Sequence, residues 1–200
     1  MMNMVSALAL IIRLYDTGAG VSPRDLQKAQ GVAAAVLQQA GVAAEWLVCP
    51  RTRQAHAGPL PTGCANTPRE SELMVRLVNG RDGNSATLGY ANVDTTAGAG
   101  RLATVFTDRV GRLADEAGID RHSLLGWAIA HEIGHLLLGT TAHETHGLMR
   151  ARWSVDEIRR RRSVDWRFSA LDEARLRARM LKSFPFDPYR TFSSVSPPAP

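Results

Sequence analysis

The sequence predicts an α/β (α+β) fold: a mixed, twisted sheet flanked by helices, with a small helical part at the C-terminal end. Three observations predict it. Residues 5–48 read as strand, helix and strand in turn. Short strand-like runs continue as far as Phe106, and from Asp108 onward the apolar residues recur at helical spacing.

Residues 5–15 form an apolar run that suits a buried strand. Gly18, Gly20 and Pro23 then mark a turn. Ser22, with Pro23 at the first helical position and Asp25 three residues on, starts a helix. Leu26, Ala29, Ala33, Val36, Leu37 and Ala40 carry its apolar face, and Gly41 closes it. Val42, Ala44, Trp46 and Val48 alternate as a strand does. A β-α-β crossover of this kind favours a parallel pair. After the loop 50–70, Leu73–Val78 reads as a third strand and 79–84 as a turn cluster. TLGYA (Thr87–Ala91) and LATVF (Leu102–Phe106) read as two more strands, separated by a glycine-rich loop, 92–101.

Asp108–Ala117 is a helix ended by Gly118, and a second helix covers His122–Leu138. Beyond Gly139 the periodicity lapses until a short basic helix, Val155–Arg162, and a last helix, Ala170–Leu181. The terminal SSVSPPAP is too rich in Ser and Pro to pack, so 186–200 is expected to be disordered. The expected division is an N-terminal subdomain over 1–139 and a mostly helical one over 140–185.

Two hundred residues suffice for one domain with a sizeable core, and 44% hydrophobic with 22% charged residues is an ordinary globular composition. No apolar run reaches the roughly 18 residues that would span a bilayer. The opening MMNMVSALALIIRLYD lacks a basic start and a small-residue cleavage site, so it reads as a strand, not a signal peptide. Cys49 and Cys64 have no C-x-x-C neighbour; they form either a disulfide pinning a loop or two separate thiols. The disulfide reading favours a secreted or periplasmic location over the cytoplasm. The net charge of +5 is uneven: Arg150–Lys182 holds eleven Lys/Arg against five Asp/Glu. With Asp156, Glu157 and Asp165 beside Arg159–Arg162, this reads as a solvated helix face, and no nucleic-acid partner is expected.

Residues 130–149, AHEIGHLLLGTTAHETHGLM, carry the chemistry. His131 and His135 are four apart on a helix, so their imidazoles share one face, where one tetrahedral Zn²⁺ can accept both. Glu132 lies beside them, placed to take a proton from water without entering the metal shell. Ala128–Ala130 and Leu136–Leu138 put this H-E-x-x-H pattern on a core helix. A catalytic zinc also needs a third protein ligand and an open position. Gly139 permits a sharp turn out of the helix, after which His143 can swing back; His146 is the other candidate.

At these residues the chain resembles the metzincin clan of zinc metalloproteases, whose signature is H-E-x-x-H-x-x-G-x-x-H with a later methionine turn. His131, Glu132 and His135 match it residue for residue, whereas Gly139 comes one place late and His143 lies eight residues past His135. The resemblance implies a divergent branch with a longer loop and a metzincin-like sheet packed on an active-site helix. It implies Met149 as the Met-turn residue and an edge strand, with Tyr90 or Ala91, against which a peptide lies as an added strand. It has no tyrosine just after Met149. The activity implied is hydrolysis of peptide or protein substrates by a monomer, through water activated by zinc and Glu132.

Two other readings use the same residues. In a gluzincin-type peptidase the third ligand is a downstream glutamate, and Glu157 lies 22 residues past His135. In a non-catalytic module, zinc only stabilises a fold whose basic C-terminal surface binds an acidic partner. A thiolate of Cys64 masking the zinc is a further regulatory possibility.

Overall fold

The apolar run that opens the chain becomes strand β1, Leu10–Asp16, in a computed structural model that describes residues 9–49, 61–80, 86–160 and 162–183. Residues 5–8 of the expected strand, and the 186–200 tail, lie outside the described residues. Ile12 and Leu14 are fully buried. Helix α1 (Pro23–Gln39) follows; Ser22 caps it by accepting from the Asp25 amide at 3.1 Å and donating to the Asp25 carboxylate at 2.7 Å. Strand β2 (Ala44–Cys49) pairs parallel with β1, as the crossover predicts.

Strand β3 (Leu73–Val78) pairs parallel with the other edge of β1, and β5 (Ala99–Phe106) pairs parallel with β3. Strand β4 (Gly89–Asp94) runs antiparallel to β5 and closes the order β2-β1-β3-β5-β4. The sheet is therefore mixed, with its antiparallel strand at one edge. The expected boundaries here need correction: β4 starts at Gly89 instead of Thr87, and most of the supposed loop 92–101 belongs to the β4–β5 hairpin. The reason for the second is an Asx turn. Asp94 Oδ1 accepts from the Thr96 and Ala97 amides at 2.9 and 3.0 Å, so four residues reverse the chain.

Helices α2 (Thr107–Ala117) and α3 (Arg121–Leu138) follow, each ended by a glycine in the left-handed region, Gly118 and Gly139. Helix α4 covers Val155–Arg160, shorter than expected; a 3₁₀ turn, Ser163–Trp166, that the periodicity did not show precedes α5, Ala170–Ser183. The core lies between the sheet, α1 and α3, where Val75, Leu77, Ala103, Val105, Leu37, Leu124, Ile129 and Ile133 are fully buried. Among the described residues no helix is long and apolar enough to cross a membrane.

Cys49 at the end of β2 is bonded to Cys64, with Cα atoms 5.5 Å apart. Neither is a free thiol, so Cys64 is not available to mask a metal. The same loop is held a second time. Arg13, 3% exposed on β1, donates to Glu72 Oε2 at 2.6 Å and to the carbonyls of Gly63 and Asn66 at 2.8 and 2.7 Å. Glu72, 4% exposed, also accepts from the Arg69 amide at 3.1 Å. Burial pushes the Glu72 carboxyl up, but the bonds from Arg13 and Arg69 outweigh it and hold it below its ordinary 4.5.

Replacing one partner of such a pair leaves an uncompensated buried charge, so Glu72→Gln is expected to cost about 3 kcal/mol at neutral pH. Because the folded-state pKa is depressed, this stability is present above about pH 4.5 and lost as pH falls through the folded value. Urea unfolding of wild type and variant across pH checks it: the gap should narrow below pH 4.5, and a gap independent of pH contradicts the assignment.

Candidate metal centre

Helix α3 is apolar on nearly every face, and three of its polar side chains are buried: His131, Glu132 and His135 are 8%, 5% and 5% exposed. Spacing of four puts the two imidazoles one turn apart. The helix stops at Gly139, with φ 67°, whose amide donates to His135 O at 2.9 Å. A side chain there would meet Gly98 O, on the β4–β5 turn, at 2.1 Å, so only glycine lets that hairpin sit on the helix end. The chain then doubles back and brings His143 to the helix face.

The result is a cluster of three imidazoles. His135 Nε2 lies 3.0 Å from His131 Nε2 and 3.3 Å from His143 Nε2. His131 Nδ1 donates to Leu148 O and His135 Nδ1 to Thr140 O, both at 2.8 Å. A carbonyl oxygen only accepts, so each Nδ1 carries the proton and each Nε2 presents a lone pair. Lone pairs facing one another at such distances repel, and a cation between them removes the conflict. Burial, then the neighbouring His135, hold His131 down to about 3; burial also lowers His135 and His143. The rings are thus neutral, the form that ligates metal. His131, His135 and His143 form a group able to hold a metal ion, and an all-imidazole set with room for a fourth ligand suits Zn²⁺.

Glu132 completes the arrangement. Its Oε2 is buried with no hydrogen-bond partner, and burial raises its pKa to about 8. Its Oε1 abuts Gly89 at the start of β4, where a side chain would come within 2.7 Å of it. All four side chains line a cleft of about 490 Å³, together with Tyr90 and Ala91 of β4.

Met149 is 1% exposed and lies beneath the helix. A side chain at Gly134 would approach Met149 Sδ to 2.6 Å and Phe168 Cε1 to 2.7 Å, so the glycine between the histidine turns admits both residues. The segment carrying Met149 is fixed from below: Leu148 N donates to Arg167 O at 2.8 Å, and Arg150 Nη1 donates to Gly147 O and Asp165 O, both at 2.6 Å.

Two alternatives fall outside the cluster. His146 is exposed and its Nδ1 lies 3.1 Å from the Thr145 hydroxyl. Glu157 Oε2 accepts from the Ser154 amide and hydroxyl at 2.8 and 2.7 Å, capping α4, so the helical spacing that made it a candidate ligand serves a helix start instead. Sequence reasoning missed Gly89 and Gly134; it expected segment 140–153 to wall a specificity pocket without singling out Arg150 or Trp153, which line the cleft. The one signal was position: Arg150 directly follows Met149.

No protein-family model matches the chain, and no curated protein sequence matches it significantly. Solved structures do share its fold. Metalloproteinase-II from Bacteroides fragilis is 16% identical with a TM-score of 0.53, over 86% of this chain and 53% of that one. The archaemetzincin from Methanopyrus kandleri is 14% identical, also at TM-score 0.53, over 86% of this chain and 96% of that one. This chain spans about half the length of the first and nearly all of the second. At these identities the likeness is one of fold.

Gly134→Ala tests the packing beneath the site. Overpacking of this kind costs about 1–3 kcal/mol and displaces Met149 or the helix turn carrying His135. Lower thermal stability and weaker zinc retention against a competing chelator are expected; an alanine variant matching wild type in both would show that the contact is not limiting.

Proposed function

We propose that this chain is a zinc-dependent endopeptidase of metzincin type. The observation that carries the reading is the convergence of three imidazole Nε2 atoms, two of them fixed as lone pairs, in one cleft with a buried carboxyl that has one unpartnered oxygen. In this reading His131, His135 and His143 hold the metal. Bound Zn²⁺ supplies Lewis acidity, polarising a peptide carbonyl and lowering the pKa of a water toward neutrality.

The chain's own residues do the rest. Glu132 accepts a proton from water at its free carboxylate oxygen and returns it to the amine that leaves, as general base and then general acid. Burial favours its protonated form, which suits the second role, while a nearby dication favours the carboxylate, which suits the first. Leu148 O and Thr140 O hold the imidazoles in the metal-binding tautomer. Met149 supports the helix from below in the manner of a Met-turn.

Strand β4 is the sheet edge, and Tyr90 is 42% exposed on it beside the cleft. A peptide adding there as a further strand gains main-chain hydrogen bonds, and its carbonyls run past the histidines. The substrate-binding sheet with α3 constitutes the upper subdomain, 1–139, and the segment with His143 and Met149 the lower one, 140–185. The Cys49–Cys64 bond supports an oxidising compartment.

Elemental analysis should find equimolar zinc in wild type and His146→Ala and little in His143→Ala. Zinc retained by His143→Ala overturns the assignment of the third ligand. Glu132→Gln should keep its zinc yet cleave an unfolded protein about 10²–10⁴-fold more slowly. Wild-type cleavage should stop on chelation and return with added zinc; undiminished cleavage by Glu132→Gln removes the proposed base.

A further inference from the structure

At one corner of the cleft, and in the layer behind it, lie buried donors that have nothing to donate to. Arg150 lines the cleft and is 6% exposed. Its Nη1 is committed to Gly147 O and Asp165 O, but Nη2 and Nε have no hydrogen-bond acceptor. The Glu157 carboxylate stands 3.7 Å from Nε, beyond hydrogen-bond length, and its other oxygen is already bound to Ser154. Trp153 and Trp166, with ring centroids 5.9 and 4.8 Å from the guanidinium carbon, each bury an indole N–H without an acceptor. All four orphaned atoms are donors, which is unusual, since buried polar groups are normally satisfied.

The corner adjoins the reacting position. The Trp153 ring meets His131 edge-on at 5.5 Å. Within the cleft Arg150 and Arg152 stand together, and Glu132 is the only acid among the described lining residues; the Glu157 carboxylate lies behind Arg150, outside that lining. A guanidinium stays charged even when desolvated, and its planar edge takes a carboxylate through two parallel bonds. Enclosure by two indoles keeps competing water away and strengthens such a bond.

We propose that Arg150, with the indole N–H of Trp153, is a specificity-determining subsite for a substrate carboxylate next to the scissile bond. The carboxylate is either an Asp or Glu side chain or a free C-terminus. The words "next to the scissile bond" rest on the peptidase reading; the carboxylate site itself does not require a metal.

Calorimetry on the zinc-loaded full chain carrying Glu132→Gln, which slows turnover, tests this with acetylated pentapeptides of small neutral residues. One pair carries Asp or Asn at the centre with an amidated C-terminus; a second pair is all neutral, with a free or an amidated C-terminus. The acid of at least one pair should bind about tenfold or more tightly than its amide, and which pair does so identifies the source. In Arg150→Gln the preference should fall to within about twofold. Trp153→Phe, which keeps the ring and removes the donor, should narrow it and serves where Arg150→Gln does not fold. Equal affinity for acid and amide in both pairs overturns the proposal, as does a preference that survives Arg150→Gln, because the zinc or Arg152 would then be the anion's partner. If the chain takes up no zinc, the peptidase reading falls, and the same titration on metal-free wild type decides the subsite alone.

Discussion

Two backbone carbonyls, Leu148 O and Thr140 O, decide what the histidine cluster can do. Each takes the Nδ1 proton of one helical imidazole and so fixes which nitrogen keeps a lone pair. Without them, His131 and His135 could share a hydrogen between their Nε2 atoms and satisfy one another. With them, the pair opposes lone pair to lone pair at 3.0 Å and is complete only around a cation. Both carbonyls belong to the segment that leaves the helix at Gly139, the segment that also delivers His143. The loop therefore both supplies a ligand and aims the other two. This makes the return of the chain after α3 the constraint on which the site depends.

That return is held by contacts that leave no room for a β-carbon. Gly139 allows the β4–β5 turn to rest on the helix end, Gly134 allows Met149 and Phe168 to rest beneath it, and Gly89 allows the edge strand to rest against Glu132. Sheet, helix and lower segment thus meet at three backbone positions, each next to a functional side chain. Close-packed interiors transmit small displacements because they cannot compress locally. A shift of β4 is then a shift of the Glu132 carboxylate, and the edge strand and the buried acid are mechanically one unit.

The parts of this arrangement that are local in sequence were legible there. A spacing of four fixes the direction of two side chains on a helix, and Gly139 marked its end in the left-handed region. The β-α-β opening was legible for the same reason, whereas the sequence left the two cysteines open between a disulfide and separate thiols. His143 was preferred to His146 on position alone, and it joins the cluster; how the eight residues after His135 fold back was not legible, because no local rule sets that path. Glu157 looked like a ligand at the right distance, yet its carboxylate serves Ser154 three residues away. The end of β4 and the start of β5 were misplaced because the Asx turn of Asp94 tightens a hairpin whose glycines suggested a loop. Gly89, Gly134 and Arg150 owe their roles to neighbours far along the chain, which composition and periodicity do not report.

The electrostatics of the cleft point to one remaining step. Glu132 is a buried acceptor without a donor, and Arg150 leads a set of buried donors without acceptors, yet the two do not pair with each other. Direct pairing would remove both costs and hold the Glu132 carboxylate down in the ordinary manner of an ion pair. Instead Arg150 is tied to Gly147 O and Asp165 O, and Glu132 is packed against Gly89, so the fold keeps the acid and the guanidinium apart within a single cleft. Leaving buried polar atoms of both unsatisfied costs stability in the free chain, and bound groups of matching polarity would offset that cost. A dication beside Glu132 and a carboxylate beside Arg150 would together supply what each lacks, so the polarity of the cleft describes what fits it.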